Sequence, residues 1–430
     1  MHAVRAVAVG LLVAWLVGVG QAEDWPVFQH NLQRNAKTTE RLDAARLQRV
    51  WTSHLPGTPN PAWSGAARWD AYAGLRGLKS MRNYDPVYHL IAVGDKVWWG
   101  SSNDDGVHCV QLADGTKVWS RFTDGPVRMA PAYHHGRLYV GSDDGYAYCL
   151  DAERGDVIWR YSPRPDGRKI VNNGRLISSW PIRTGVMVSE GLAYFGASLL
   201  PWEPSYLCAV DAVTGQAEGT GAFRREVLGA TMEGPMSLVP GRYLVSPQGR
   251  IAPRLFGIAD GQPLKDLAGG GGSFVVLTKD SVFHGPGNKT GWLTASSLDS
   301  LETVASFKNG NAIVVAGDIS FLLTDESLSA TNYVSREELW SVDSDCPFSL
   351  LLAGDTLFVG GQDRVAAHDA KTGQRIWSHP VMGKAYSLVV ANGHLLVSTD
   401  TGCLMNIGGA LHRQQQPIGV AHLAELLEMR

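Results

Sequence analysis

The stretch VGSDDGYAYCLDAERGDVIW, residues 140–159, reads as an apolar strand, an Asp-Asp-Gly turn, a short strand carrying Cys149, a turn ending in Gly155, and a third strand closed by Trp159. The stretch WGSSNDDGVHCVQLADGTKVW, residues 99–119, has the same parts in the same order, and Trp119 lies 40 residues before Trp159. A third copy, AHDAKTGQRIW at 367–377, gives the second turn in fuller form, Ala-x-Asp-x-x-Thr-Gly-x-x-x-Trp. Recurrence at one spacing makes the stretch a building block rather than an active-site loop.

Each part of the block has a mechanical reason. Asp369 is placed to accept backbone N–H bonds across the turn, Gly373 to take the left-handed conformation, and Trp377 to bury a large ring. Strand residues flanked by glycine, as in Arg137-Leu138-Tyr139-Val140 and Thr356-Leu357-Phe358-Val359, are β-branched or aromatic, and long helical periodicity is absent from the middle of the chain. A period of about 40 residues indicates a solenoid or propeller, in which each sheet buries its faces only against its neighbours. The reading is all-β: a single array over 23–410 of four-stranded antiparallel blades, with an insertion at 56–86.

Blades are expected over 86–119, 126–159 and 181–215, four weaker copies follow, and an eighth at 387–407 lacks its Trp strand. LQRVWTSHL at 47–55 resembles that missing strand, so N- and C-terminal strands are expected to pair and close an eight-bladed β-propeller, which removes exposed edges. Seven blades is the alternative count.

Composition narrows the function classes. With 38 basic and 41 acidic residues and a formal net charge of −3, no basic stripe recommends nucleic acid as a partner. His2 and Arg5, an apolar run over 6–20 and a small-residue site ending at Ala22 read as a secretory signal peptide over 1–22. The expected location is therefore exported, periplasmic or extracellular, with no transmembrane span after cleavage. The tail 411–430, ending AHLAELLEMR, reads as a short helix outside the ring. Cys109, Cys149 and Cys208 sit at one place in three successive copies, too far apart to bridge, and read as small buried hydrophobes; a pair between Cys346 and Cys403 stays open.

The Ala-x-Asp-x-x-Thr-Gly-x-x-x-Trp pattern at 367–377, with partial matches at 149–159 and 209–215, resembles the repeat of pyrroloquinoline-quinone (PQQ) proteins. The resemblance covers most of 51–407 and implies an eight-bladed propeller with tryptophan pegs between blades. It also implies one of two functions. One branch of the superfamily consists of PQQ- and calcium-dependent dehydrogenases of alcohols or sugars, with an Asp base, a Trp floor under the quinone and usually two adjacent cysteines. The other uses the propeller without cofactor as an interaction scaffold, as in outer-membrane protein assembly. This chain has no adjacent cysteines and little length for the insertions that build a substrate funnel. The expectation is a non-catalytic binding scaffold, monomeric or part of a complex, with no cofactor, no metal site and no catalytic residue; the dehydrogenase, with PQQ and calcium, is the alternative.

Two regions are singled out for binding. The segments Asp85-Pro-Val-Tyr-His89, Gly125-Pro-Val-Arg128, Trp180-Pro-Ile-Arg183 and Glu233-Gly-Pro-Met236 align at their prolines and lead into the innermost strands. His89, Arg128 and Arg183 are thus placed at the channel mouth, where they would hold an anion or a carboxylate-rich ligand. The alternative there is that each arginine pairs with a blade-turn aspartate. The insertion at 56–86 interleaves Trp63, Trp69, Tyr72, Arg76 and Arg82, and a second insertion, SLLPWEPSY, carries Trp202. Aromatics among cations suit a protein, peptide or glycan partner. Asp143 and Asp144, like Asp104 and Asp105, are read as hairpin turns.

Overall fold

A computed structural model describes residues 22–63, 84–172, 174–247, 253–268, 274–285 and 293–409. Residues 1–21 of the expected signal peptide, the tail from 410, and Trp69, Tyr72, Arg76 and Arg82 lie outside the described residues.

Alternation of apolar and small residues between glycine turns produces strands almost throughout, and among the described residues the one helix is a 3-10 turn at Ala44–Arg46. The four-stranded sheets are antiparallel and follow chain order. Six have four strands each, spanning 90–122, 132–161, 187–227, 237–266, 274–307 and 312–343. Eight of the remaining ten strands form one sheet, in which the 17-residue strand Arg375–Ala391 serves first as the neighbour of Gln362–Asp369 and then of His394–Thr399. Its far edge is Leu47–His54, antiparallel to Cys403–Gly409 with Trp51 opposite Asn406. A small hairpin, Lys169–Asn172 with Arg175–Ser178, stands between the second and third sheets.

The repeat motif explains how sheets join. Asp151, Asp211 and Asp369 each accept two backbone N–H bonds from the residues two and three further on, which closes the turn expected from sequence. The preceding sheet then sets a tryptophan on that turn. Indole Nε1 donates to a turn carbonyl from Trp119 to Ala152 (3.0 Å), from Trp159 to Ala212 (3.1 Å) and from Trp340 to Ala370 (3.1 Å). Trp51 does the same to Leu112 at 2.8 Å, so the strand at the far edge of the eight-stranded sheet docks on the first four-stranded sheet. The ring lies flat on the turn glycine: a Cβ at Gly373 would come within 2.5 Å of Trp340, and Gly373 has φ +73°. Between the third and fourth sheets Phe223 takes this place against Gly261, which is why the motif fades there.

A one-residue bulge precedes each peg. Val50, Val118, Ile158, Leu339 and Ile376 are skipped in the ladder immediately before Trp51, Trp119, Trp159, Trp340 and Trp377. The bulge twists the outer strand so that the tryptophan turns toward the next sheet while the skipped residue turns outward. That accounts for exposed Val118, Ile158, Leu339 and Ile376 on an otherwise ordinary surface.

Residues 23–41 form a strap that sequence reading did not anticipate. It crosses the innermost strands in turn: Trp25 bridges Ala92, Pro26 accepts from Tyr133, Leu32 from Leu238, Gln33 from Leu277, and Ala36 from Leu352. Lys37–Thr38 then lies parallel to Leu352–Ala353, and the Glu40 carboxylate takes the N–H groups of Asn392 and Gly393. The largest core cluster accordingly combines Trp25 and Leu47 with Leu90, Leu352 and Leu395. All five cysteines are free and buried, Cys346 and Cys403 included. Burial pushes the thiols up, that of Cys109 to about 12 and that of Cys149 to about 11, as expected of inert packing residues.

Candidate functional site

The proline segments that lead into the inner strands lie over the hairpin of the preceding sheet, Val127 N–H donating to Ser101 and Ile182 N–H to Ser142, and Pro126 also accepts from Asp143 N–H in the hairpin of its own sheet. This places Arg128 and Arg183 on either side of Asp143. Arg183 grips Asp143 with two bonds, Nε to Oδ1 at 2.9 Å and Nη2 to Oδ2 at 2.8 Å, while Arg128 Nε reaches Oδ2 at 2.7 Å. The outer guanidinium nitrogens extend the network. Arg128 Nη1 bonds Asp85 at 2.8 Å, and Arg183 Nη1 bonds Glu233 at 3.0 Å.

Every member is buried, so the electrostatics are those of a low-dielectric interior. Burial alone would raise the Asp143 carboxyl, but the charges of Arg128 and Arg183 hold it below the usual carboxylate range. For Asp85 burial prevails over the pull of Arg128 and the carboxyl is raised; its Oδ1 has no hydrogen-bond partner. Arg183 loses to burial but gains more from Asp143, and its pKa rises. Three carboxylates thus face two guanidinium groups.

The described ends of the insertion are tied to this network. Trp63 Nε1 donates to Glu233 at 3.1 Å, Tyr84 Oη reaches Glu233 at 3.4 Å, Ala62 N–H donates to Asp85 at 2.8 Å, and the Asn60 carbonyl accepts from Arg128 at 2.7 Å. Residues 60–63 and 84–85 are therefore held against one end of the inner strands.

Of the residues singled out from sequence, the structure brings Arg128 and Arg183 together and adds Trp63 through Glu233. His89 has different neighbours: its Nε2 lies 2.7 Å from the Tyr84 carbonyl and its ring 4.8 Å from that of Phe28. Burial pulls its pKa down to about 4, which leaves it neutral. Trp202 is 76% exposed, and no bond among the described residues joins it to the network; its loop is fastened by Trp180 Nε1 to Pro204 and by Arg168 to Glu203. The arginines do pair with a blade-turn aspartate, the alternative reading, but both close on one, Asp143, which sequence reading took only as part of a turn. Asp144 does the turn work expected of the pair, accepting from Tyr146 N–H at 2.9 Å and Tyr148 Oη at 2.6 Å, and so leaves Asp143 to the arginines. Asp85 and Glu233 were visible only as neighbours of the aligned prolines.

As a donor set for calcium beside a quinone this network fits poorly. Its carboxylates are turned to guanidinium groups, and among the described residues no three His, Cys, Asp or Glu side chains are grouped to hold a metal ion.

Comparison with known proteins gives three results. The family model described as outer membrane protein assembly factor BamB matches residues 103–218 and 268–414, more than half of the chain. Among solved structures, quinohemoprotein alcohol dehydrogenase from Comamonas testosteroni superposes with a TM-score of 0.65 at 14% identity, covering 90% of this chain and 80% of that one. A europium-containing methanol dehydrogenase gives 0.61 at 11% identity, covering 89% and 90%. At such identities these likenesses show the propeller fold alone. Short matches also occur to lactate utilization protein A, with 48% identity over 44 residues for the protein of an Exiguobacterium species, covering 10% of this chain and 18% of the relative. The chain thus spans under a fifth of the length of that relative.

Proposed function

From the premise that this chain belongs to the PQQ-like repeat family described as outer membrane protein assembly factor BamB, we propose that it is a non-catalytic propeller scaffold that acts by binding a protein, peptide or glycan. Recognition is assigned to the end of the propeller that carries the insertion. The observation that carries this reading is the buried chain Asp85, Arg128, Asp143, Arg183 and Glu233, to which both described ends of the insertion are bonded. Charges consumed in mutual pairs inside the protein are a foundation for a binding loop, not a reactive centre. In this reading Arg128 and Arg183 position the recognition face, Trp63 marks its inner margin, and Trp202 adds an exposed aromatic beside it.

The same reading takes the eight-stranded sheet as two blades that share Arg375–Ala391, which with the six four-stranded sheets makes eight. Closure of the ring is supported by Leu47–His54 pairing with Cys403–Gly409 and by Trp51 docking on the first sheet. An exported location rests on the sequence pattern of residues 1–22. No helix among the described residues is long and apolar enough to cross a membrane.

Replacing residues 64–83 by a short Gly-Ser linker tests the recognition face. The far-UV β signal and thermal midpoint are expected to persist while partner capture is lost. Capture that survives the replacement would refute the assignment, and loss of the β signal would make the insertion structural.

A further inference from the structure

The strap carries a buried carboxylate that has hydrogen-bond donors but no cation. Glu40 is only 2% exposed. Its Oε2 accepts from the backbone N–H of Glu23 at 2.9 Å and of Asn392 at 3.0 Å, and its Oε1 accepts from Gly393 N–H. All three donors are neutral amides. Among the described residues no lysine, arginine or histidine pairs with Glu40, and the charge that acts on it is that of the Glu23 carboxylate, of like sign. Burial, with that carboxylate, leaves Glu40 above the usual carboxylate range in spite of its three bonds.

The surroundings do not make good the deficit. The Glu23 side chain accepts from the Thr38 and Thr39 hydroxyls and from Thr39 N–H at 2.9 Å, and lies 3.3 Å from His30. Burial pulls the His30 pKa below its ordinary value, so the ring is no permanent cation. Asp24 adds a third carboxylate at the same turn, where it accepts from Asn392 Nδ2 at 2.9 Å. A buried carboxylate without a counter-charge is an arrangement that proteins otherwise avoid. One of the nitrogens on Glu40, however, is the one that a cleavage would charge. Glu23 follows Ala22, the last residue of the expected signal peptide, and Ala22 is exposed.

We propose that hydrolysis of the Ala22–Glu23 bond provides the missing cation, the new α-ammonium of Glu23 pairing with the buried Glu40, which is thereby the receptor for the processed amino terminus. Water adds across the peptide bond: the C–N bond breaks, Ala22 leaves as a carboxylate, and the Glu23 nitrogen takes up the proton. That nitrogen already stands 2.9 Å from Oε2, so the pair forms with the strap in place. A charge-assisted bond, about twice as strong as a neutral one, then fixes the start of the strap to the turn at Asn392 and Gly393. The inference rests on the reading of residues 1–22 as a signal peptide and not on the insertion face.

Chains that begin at Glu23 are prepared with a free and with an acetylated amino terminus, and their thermal midpoints are compared at about pH 6, where an α-amino group is charged. Acetylation keeps the N–H and removes the charge. The free terminus is expected to melt about 2 °C or more above the acetylated one. Pairing raises the α-amino pKa, so this advantage is complete below the unfolded value near about 8 and is lost as pH rises through the higher folded value; Glu23, Asp24, His30 and Glu40 are the ionisable groups facing it. Glu40→Gln should abolish the difference. Equal midpoints, or a difference that survives Glu40→Gln, overturn the ion pair. Should that variant fail to fold, the titration of the α-amine followed by 15N NMR decides: a midpoint above about 8 supports the pair, and one at or below it overturns the pair. The cleavage is read separately, from the mass of the full chain after export. A product that starts at Glu23 supports it, and any other start overturns the processing step and the signal-peptide boundary beneath it, a failure distinct from equal midpoints.

Discussion

Asp143 carries more of the architecture than any other charged residue described, since Arg128 and Arg183, both buried, close on its carboxylate. Asp143→Asn keeps the shape but leaves two guanidinium groups short of a counter-charge, and a loss of about 3–5 kcal/mol in denaturant unfolding is expected. Asp105→Asn, which affects a partly exposed pair with Arg175, should cost about 1 kcal/mol or less. The pH dependence has a defined sign. Because its folded pKa is depressed, the stabilisation from Asp143 is complete above the unfolded value near 3.9 and is lost as pH falls through the lower folded value. His89 acts in the same direction over a different window. Its pKa falls from 6.5 to about 4, so the unfolded chain binds the extra proton between these values and stability drops as pH falls from 6.5 toward 4, by about 3 kcal/mol. His89→Phe should flatten that part of the stability profile. At this scale the sequence was only half readable. Aligned prolines placed Arg128 and Arg183 near each other, but an Asp-Asp-Gly turn looks complete without any distant partner.

The elements are governed by the pegs and the bulges before them. Gly373 combines φ +73° with a tryptophan ring where a Cβ would stand, so Gly373→Ala is expected to cost about 2–4 kcal/mol. Gly94→Ala, with φ +58° and nothing within 4 Å, should cost only about 1 kcal/mol, and comparing the two thermal midpoints separates packing from backbone conformation. Trp159→Ala should lose about 3–5 kcal/mol, whereas Ile158→Thr beside it, skipped by the ladder and turned outward, should stay within about 0.5 kcal/mol. Strands, turns and pegs were readable because their chemistry is local: an aspartate that caps, a glycine that turns, an indole that docks. The bulges were less so, although Val, Ile or Leu before each peg is their trace. The copy over 237–266 faded because Phe223 replaces the indole against Gly261, and a phenyl ring has no N–H to donate to the turn.

For the whole molecule, the two ends of the chain hold the array together. Residues 23–41 cross the inner strands of six of the seven sheets, and Trp51 fastens the last strand to the first sheet. Deleting 23–41 is expected to broaden the thermal transition and lower its midpoint, since sheets now tied through the strap would keep only their neighbours. The strap was hidden from sequence reading because it is irregular: Gln29, His30, Arg34 and Ala36 all have positive φ, and no period marks them. The central claim is that this propeller binds without catalysing, its channel-mouth charges being spent on one another. Equilibrium dialysis of the purified protein against PQQ with calcium, followed by dye reduction with alcohols and sugars, tests it most directly. The account predicts that no quinone is retained and no dye is reduced; retention with substrate-dependent reduction would contradict it.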